Sequence, residues 1–283
     1  MEKFEDGLKF AYLEVKPVIH TFVFELKKQW KKFVGFLVIS VLIVVLQSFI
    51  LYTLFSDSLL PTTHSDYLSG GLIFLTSFII LFASCFFFAG IICAEFSDKT
   101  GYIVFPKINK YKLIIGKYLG NLFLETGVIA IFYFLVGFLS IFFYDQFSGT
   151  LLIRYFISFV FAFLYMIAMS SFVTFFSSFM RSVSVTIVST IMILFIGFNI
   201  SQSFLMMLAP EIEPIYSLSY ISSLITSILL IEFPDPNYSE ISFGNFTFRT
   251  WLTPTIEMGL LVLFLYITIG FILAAYLFKR RQL

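Results

Sequence analysis

Five stretches of this chain are each long and apolar enough to cross a bilayer, which takes ~20 mostly apolar residues. They are Phe33–Phe55, Gly71–Ala94, Tyr118–Tyr144, Leu151–Phe176 and Thr255–Phe278. A sixth, Val183–Leu208, contains Asn199 and Gln202 but is otherwise apolar. A water-facing fold would have to cover these runs with charge, and only 12% of residues are charged against about 25% in a soluble domain. Mean hydropathy is +0.98. The expected fold class is therefore an all-α integral membrane protein with six transmembrane helices.

The distribution of cations sets the orientation. If the N-terminus is cytosolic, the cytosolic segments hold every lysine and arginine of the 18 except Arg154 and Arg249, a strong positive-inside bias. The opposite links carry acids: Asp57, Asp66, Asp145, Glu211, Glu213, Glu232, Asp235 and Glu240. Two glycosylation sequons, at Asn237 and Asn245, fall in the external loop 209–254 and agree mildly with that assignment. Both ends are thus expected in the cytosol, in a multi-pass protein of the cell membrane. The stretch Tyr216–Ile231 is apolar but only sixteen residues long, which suits a re-entrant or interfacial helix. Parity agrees, because a seventh crossing would put Lys279, Arg280 and Arg281 outside. No signal peptide is evident, so the chain is expected to enter the membrane through its own first span.

Residues 1–32 are not a span. Phe4, Leu8, Tyr12, Val15, Ile19, Phe22, Val23, Leu26 and Trp30 recur at steps of three and four, one stripe of a helix. Lysines and glutamates take the other side, and Pro17 is expected to kink or split the segment. Such an amphipathic helix is expected along the inner membrane surface, with 33–283 as the transmembrane domain.

The loop 95–117 carries the most information. It runs from Glu95, at the end of the second span, through Lys99-Thr100-Gly101 and Pro106 to Lys110, and enters the third span at Gly116-Lys117. A positive-inside loop would account for its charge. The order of its residues, however, resembles the loop of ABC-2 type permeases, the membrane subunits of type II (G-type) ABC exporters. There a Glu, a Gly/Thr turn, a proline followed by a basic residue, and a Gly-Lys pair recur. In this chain Thr and Gly stand in reversed order, and the basic residue falls one place later after the proline. The resemblance extends to the order of elements: an amphipathic connecting helix, six spans and a re-entrant external element before the sixth. It implies a permease that exports an unidentified substrate as a homo- or heterodimer on separate cytosolic ABC ATPase subunits. Glu95–Pro106 would be the coupling helix docking into the ATPase, aided by Phe22, Leu26 and Trp30 of the connecting helix. ATP and Mg would be bound by that partner, and this chain would hold no cofactor or metal.

The residues agree on what is missing. There is no GxxxxGK[ST], since Lys117 is followed by Tyr118. His20 and His64 are far apart, so an HExxH zinc site is excluded. Cys85 and Cys93 are eight residues apart on one helix, ~12 Å of rise, too far for a disulfide. A net charge of +1 gives no basic surplus for nucleic acid. Two acids fall within spans: Glu125, expected near the cytosolic face and hydrated, and Glu257 at the outer start of the sixth span. An intramembrane acid is a functional candidate, though pairing would explain both. Hydroxyls from Ser170 to Thr190 are expected to serve helix packing. Asn199 and Gln202 are costlier in lipid and are expected at a dimer interface or translocation path. A channel, a secondary carrier or a membrane scaffold remains the alternative; a carrier would want an internal repeat and helices broken at midplane.

Overall fold

In the computed structural model, six helices among the described residues are long and apolar enough to span a membrane. They are span 1 (Val15–Ile50), span 2 (His64–Ser97), span 3 (Lys110–Tyr144), span 4 (Gly149–Phe179), span 5 (Val183–Leu208) and span 6 (Ile256–Arg280). The all-α, six-span expectation holds. The structure describes residues 2–54, 63–101, 106, 108–144, 148–243 and 246–281. Asp57, Asp145, Lys107 and Asn245 lie outside these residues, as do positions 102–105 of the expected coupling segment and the side chains of Phe4, Leu8 and Tyr12.

Span 2 is the core. Two thirds of its most apolar window is buried, against 11% in span 1 and 17% in span 5, so the other spans pack around it and turn outward-facing side chains to lipid. Leu68, Leu72, Leu75, Ile80 and Phe88 of span 2 are fully buried, whereas Phe134, Phe138, Phe142 and Phe156 of spans 3 and 4 are exposed. In a membrane such exposed phenylalanines are ordinary lipid contacts rather than patches that need a partner.

Span 2 is not a uniform α-helix. It contains a π-helical segment, Leu75–Ile79, and a break at Ala89 between Ile80–Phe88 and Gly90–Ser97. In lipid, freed backbone groups must find partners inside the protein. Ser177 of span 4 supplies them: its hydroxyl donates to the Ala89 carbonyl at 2.7 Å and receives the Ile92 and Cys93 amides at 3.1 and 3.0 Å. Ser177→Ala is expected to cost about 2–3 kcal/mol through those orphaned groups. Its unfolding midpoint in detergent, compared with that of Ser189→Ala on the exposed side of span 5, checks this.

The sixteen-residue apolar stretch folds as two short helices, Leu218–Ile221 and Ser223–Ser227, sealed inside the protein through Leu218, Leu224, Ile225 and Leu229. Side chains from the spans satisfy its carbonyls. Ser65 donates to Leu229, Ser158 to Ile225 at 2.6 Å, and Arg154 to Leu230 and Ile231. The Tyr220 hydroxyl donates to Glu213 at 2.8 Å; burial first, and then that carboxylate, push the phenol well above its usual range.

An antiparallel hairpin, β1 (Tyr238–Phe243) and β2 (Phe246–Trp251), follows, paired from Tyr238↔Trp251 to Phe243↔Phe246. Arg249 bonds Glu240 at 2.9 Å directly across the ladder and lies 4.1 Å from the Tyr238 ring centre. Both cations left out of the positive-inside count, Arg154 and Arg249, are therefore occupied within the protein.

The N-terminal helix is continuous from Glu2 to Leu54, 53 residues. Pro17 does not split it, and no break marks residue 32. Proline costs a helix one backbone bond and a steric clash with the preceding turn, which the packing of this helix against span 3 outweighs. Its apolar stripe does lie outward, with Val15, Ile19, Val23 and Trp30 exposed. The face packed on the protein is the polar row Thr21, Glu25 and Gln29.

Candidate functional site

At the cation-rich end, three residues of the loop 95–117 meet. Glu95 closes span 2, Lys117 lies two turns inside span 3, and their side chains form an ion pair only 10% and 6% exposed. Thr100 donates to the second Glu95 oxygen at 2.7 Å. The chain reaches Thr100 through Lys99, whose φ of 56° lies in the left-handed region, a conformation uncommon for a non-glycine residue. Lys28 of span 1 is within electrostatic reach of Glu95. The loop is therefore clasped at its root. Of the other expected coupling residues, Gly101 is buried, while Lys99, Pro106 and Lys110 are exposed.

The clasp is the first rung of a polar seam. Lys117, Asn121 and Glu125 stand at i, i+4 and i+8, one face of a helix, and all three are buried against span 2. Asn121 donates to the Phe87 carbonyl at 2.9 Å, and Ser84 donates to Glu125 at 2.6 Å. The adjoining face of span 3 is Gly116-x-x-x-Gly120, where small residues let backbones approach. A Cβ on Gly116 would stand 2.7 Å from the Val18 carbonyl, and one on Gly120 would stand 3.1 Å from Glu25 Cβ. Span 1 thus lays Thr21, Glu25 and Gln29 directly on that face, with Gln29 donating to Glu25 at 2.9 Å.

Among the described residues, three buried side-chain oxygens accept no hydrogen bond: Glu25 Oε2, Asn121 Oδ1 and Glu125 Oε2. Each such group costs about 1–3 kcal/mol, and all three belong to this seam.

Glu125 corrects the sequence reading. It is fully buried rather than hydrated, and it stands near the middle of a 35-residue helix. The apolar run suggested that span 3 begins at Tyr118, but the helix begins at Lys110; lysine favours a helix, so it continues below the run. Glu257 is exposed in the first turn of span 6, where an acid is favoured by the helix macrodipole.

Asn199 and Gln202 part company. Gln202 turns inward and accepts from Ser217 and Ser219 of the loop 209–254 at 3.5 and 3.4 Å. Asn199 is exposed and bonds only back along its own helix, to the Phe195 carbonyl. Span 5 buries just Thr186, Thr190 and Leu194, leaving a wide face open. It too holds a π-helical segment, Met192–Gly197. The two π segments touch, with the rings of Phe78 and Phe195 5.6 Å apart, and such bulges are frequent at functional sites. Ser170, Ser171, Thr174, Ser177, Ser178, Thr186 and Thr190 are buried and bonded to backbone within the protein, which is packing. Phe22 and Leu26 are half-buried, Phe22 edge-on to Phe123 at 6.0 Å; Trp30 is exposed beside Phe33.

Sequence reading missed the Gly116/Gly120 step, although G-x-x-x-G in an apolar helix is a known packing signal. It also missed Ser84, and it read Ser177 only as one of the packing hydroxyls between Ser170 and Thr190, with nothing local to mark its contact with the break in span 2.

The sequence model of a family described as "ABC-2 family transporter protein" matches residues 108–283. No curated protein matches the chain. The matched stretch holds spans 3 to 6 with Lys117, Asn121 and Glu125, the re-entrant element and the C-terminal cations, well over half the chain. The protein therefore belongs to the ABC-2 transporter family and is a membrane permease of an ABC-type transporter.

Proposed function

We propose that this chain is the membrane half of an ABC exporter, working as a dimer on separate cytosolic ATPase subunits with its cation-rich end in the cytosol. Permeases of this family generally partner with an ATPase subunit. The observation that carries the reading is the clasp. Glu95, Thr100 and Lys117 fasten the root of the 95–117 loop to span 3, so force on the loop reaches spans 2 and 3 together. Lys99, Pro106 and Lys110 remain on the rim, exposed to a docking partner, and span 1 rides on span 3 through the glycine step. ATP-driven closure of the ATPases would press this rim and drive spans 1, 2 and 3 together.

The path would run between protomers along spans 2 and 5. The open face of span 5 with Asn199, and the paired π segments, support that placement. A polar amide in lipid is expensive, and a second protomer or a hydrated path relieves it.

The test is copurification with candidate ATPases and transport in liposomes. Reversing the exposed charges, Lys99→Glu with Lys110→Glu, is expected to weaken ATPase capture by roughly tenfold while leaving the fold intact. Undiminished capture would remove the loop from the docking surface. The buried mid-helix Glu125 favours one other reading, a proton-driven carrier. Flux that follows a proton gradient in liposomes without any ATPase, and is lost in Glu125→Gln, would establish that reading instead.

A further inference from the structure

Spans 1 and 2 leave an apolar groove of about 540 Å³ between them. Its span 2 wall is a ladder of Phe74, Phe78, Phe82 and Phe86, one per turn, with stacked neighbours 6.0 and 6.5 Å apart at Phe74/Phe78 and Phe78/Phe82. Twelve residues of helix make it about 18 Å long, close to the ~15 Å of hydrocarbon in one leaflet. Gly35 opens the span 1 wall: a Cβ placed there meets nothing within 4 Å. Among the described residues, Lys32 is the one charged residue lining the groove, at the end where its ammonium donates to the Phe86 carbonyl at 3.2 Å. Lys31 is exposed beside it, and Lys28, one turn below, is within electrostatic reach.

The shape is a long apolar slot as deep as a leaflet, with positive charge at the membrane-surface end only. We propose that it holds an acyl chain of an anionic membrane lipid, with the headgroup against Lys32. Basic sites at the ends of membrane helices take anionic headgroups in this way, and the tail replaces solvent along an all-carbon wall. A second copy of the chain fits less well. A two-fold contact centred here would set one chain's Lys28, Lys31 and Lys32 against the same lysines of the other. The proposal goes beyond the permease reading and does not need it, because no step involves an ATPase.

The test uses the full chain in phosphatidylcholine nanodiscs doped with either of two photoreactive lipids. Both carry the same diazirine-bearing acyl chain, one on phosphatidylglycerol and the other on phosphatidylcholine. The expected result is labelling of the Gly35–Ile43 and Phe74–Phe86 segments, about fivefold stronger from the anionic probe, as one lysine at a membrane surface supplies. Lys32→Gln should erase that preference while leaving overall labelling. Gly35→Leu should remove labelling from both probes with an unchanged unfolding midpoint, since its side chain enters open space. If Gly35→Leu fails to fold, the headgroup comparison and Lys32→Gln still decide. Equal labelling by the two probes, or a preference that survives Lys32→Gln, would overturn the proposal.

Discussion

Lys117→Met is expected to lower stability by ~3–5 kcal/mol, because it strands a buried carboxylate. Glu95 is 8% exposed and in the variant would keep only the Thr100 hydroxyl and the field of Lys28. Glu95→Gln should cost a similar amount for the converse reason, an ammonium left in a site where Lys117 is 5% exposed. The double variant, Glu95→Gln with Lys117→Met, is the informative one. It removes both desolvation costs together with the attraction, and replacing a whole buried pair is often close to neutral. Its expected loss is below ~2 kcal/mol, so the two effects should be non-additive by several kcal/mol. Unfolding midpoints in one detergent provide the cycle. Additive losses would mean that the two groups do not act as a pair. The same double variant separates stability from coupling: a folded protein that binds the ATPase but no longer transports would assign the clasp to transmission of motion rather than to folding.

The spans were legible because apolar length is a property of single segments, and span 5 was placed to the residue at Val183–Leu208. The re-entrant stretch was legible too, through its sixteen-residue length and the parity of cations around it. The seam was not, because its pairs join residues far apart in sequence: Glu95 with Lys117 across 22 positions and Ser84 with Glu125 across 41. Nothing near Glu125 says whether the facing helix offers water or a serine. The apolar run also misplaced the start of span 3, since lysine favours a helix and the helix runs on past the end of the apolar stretch. The π segments at Leu75–Ile79 and Met192–Gly197 have no local residue code, and proline, the usual sign of a broken span, is absent from both. The hairpin was readable in principle. Two six-residue runs rich in aromatic and hydroxyl residues flank Gly244-Asn245 in the sequence, a hairpin signal that apolar length alone does not register.

Gly116→Ala is expected to undock span 1 from span 3, and its comparison with Gly259→Ala shows why contact distance alone does not set the cost. A methyl on Gly259 would come closer to its neighbour than one on Gly116, but it would meet the terminal carbon of Leu224, which can change rotamer. A methyl on Gly116 would stand 2.7 Å from a backbone carbonyl of Val18 and 2.7 Å from Cβ of Thr21. Neither atom can move unless the whole helix retreats, and retreat would loosen Glu25 and Gln29 from the same face. Overpacking of this kind costs ~1–3 kcal/mol; we expect the upper part of that range for Gly116→Ala and less than ~1 kcal/mol for Gly259→Ala. Gly120→Ala, facing Glu25 Cβ at 3.1 Å and the Phe22 carbonyl at 3.2 Å, should fall between them. Crosslinking by a short bifunctional thiol reagent between cysteines introduced at Phe22 and Phe123, whose rings meet at 6.0 Å, reads the docking directly. Crosslinking should fall in Gly116→Ala and persist in Gly259→Ala. Should Gly259→Ala prove the more damaging, the re-entrant element rather than the glycine step would be the tighter joint, and rigid coupling of span 1 to span 3 would lose its physical basis.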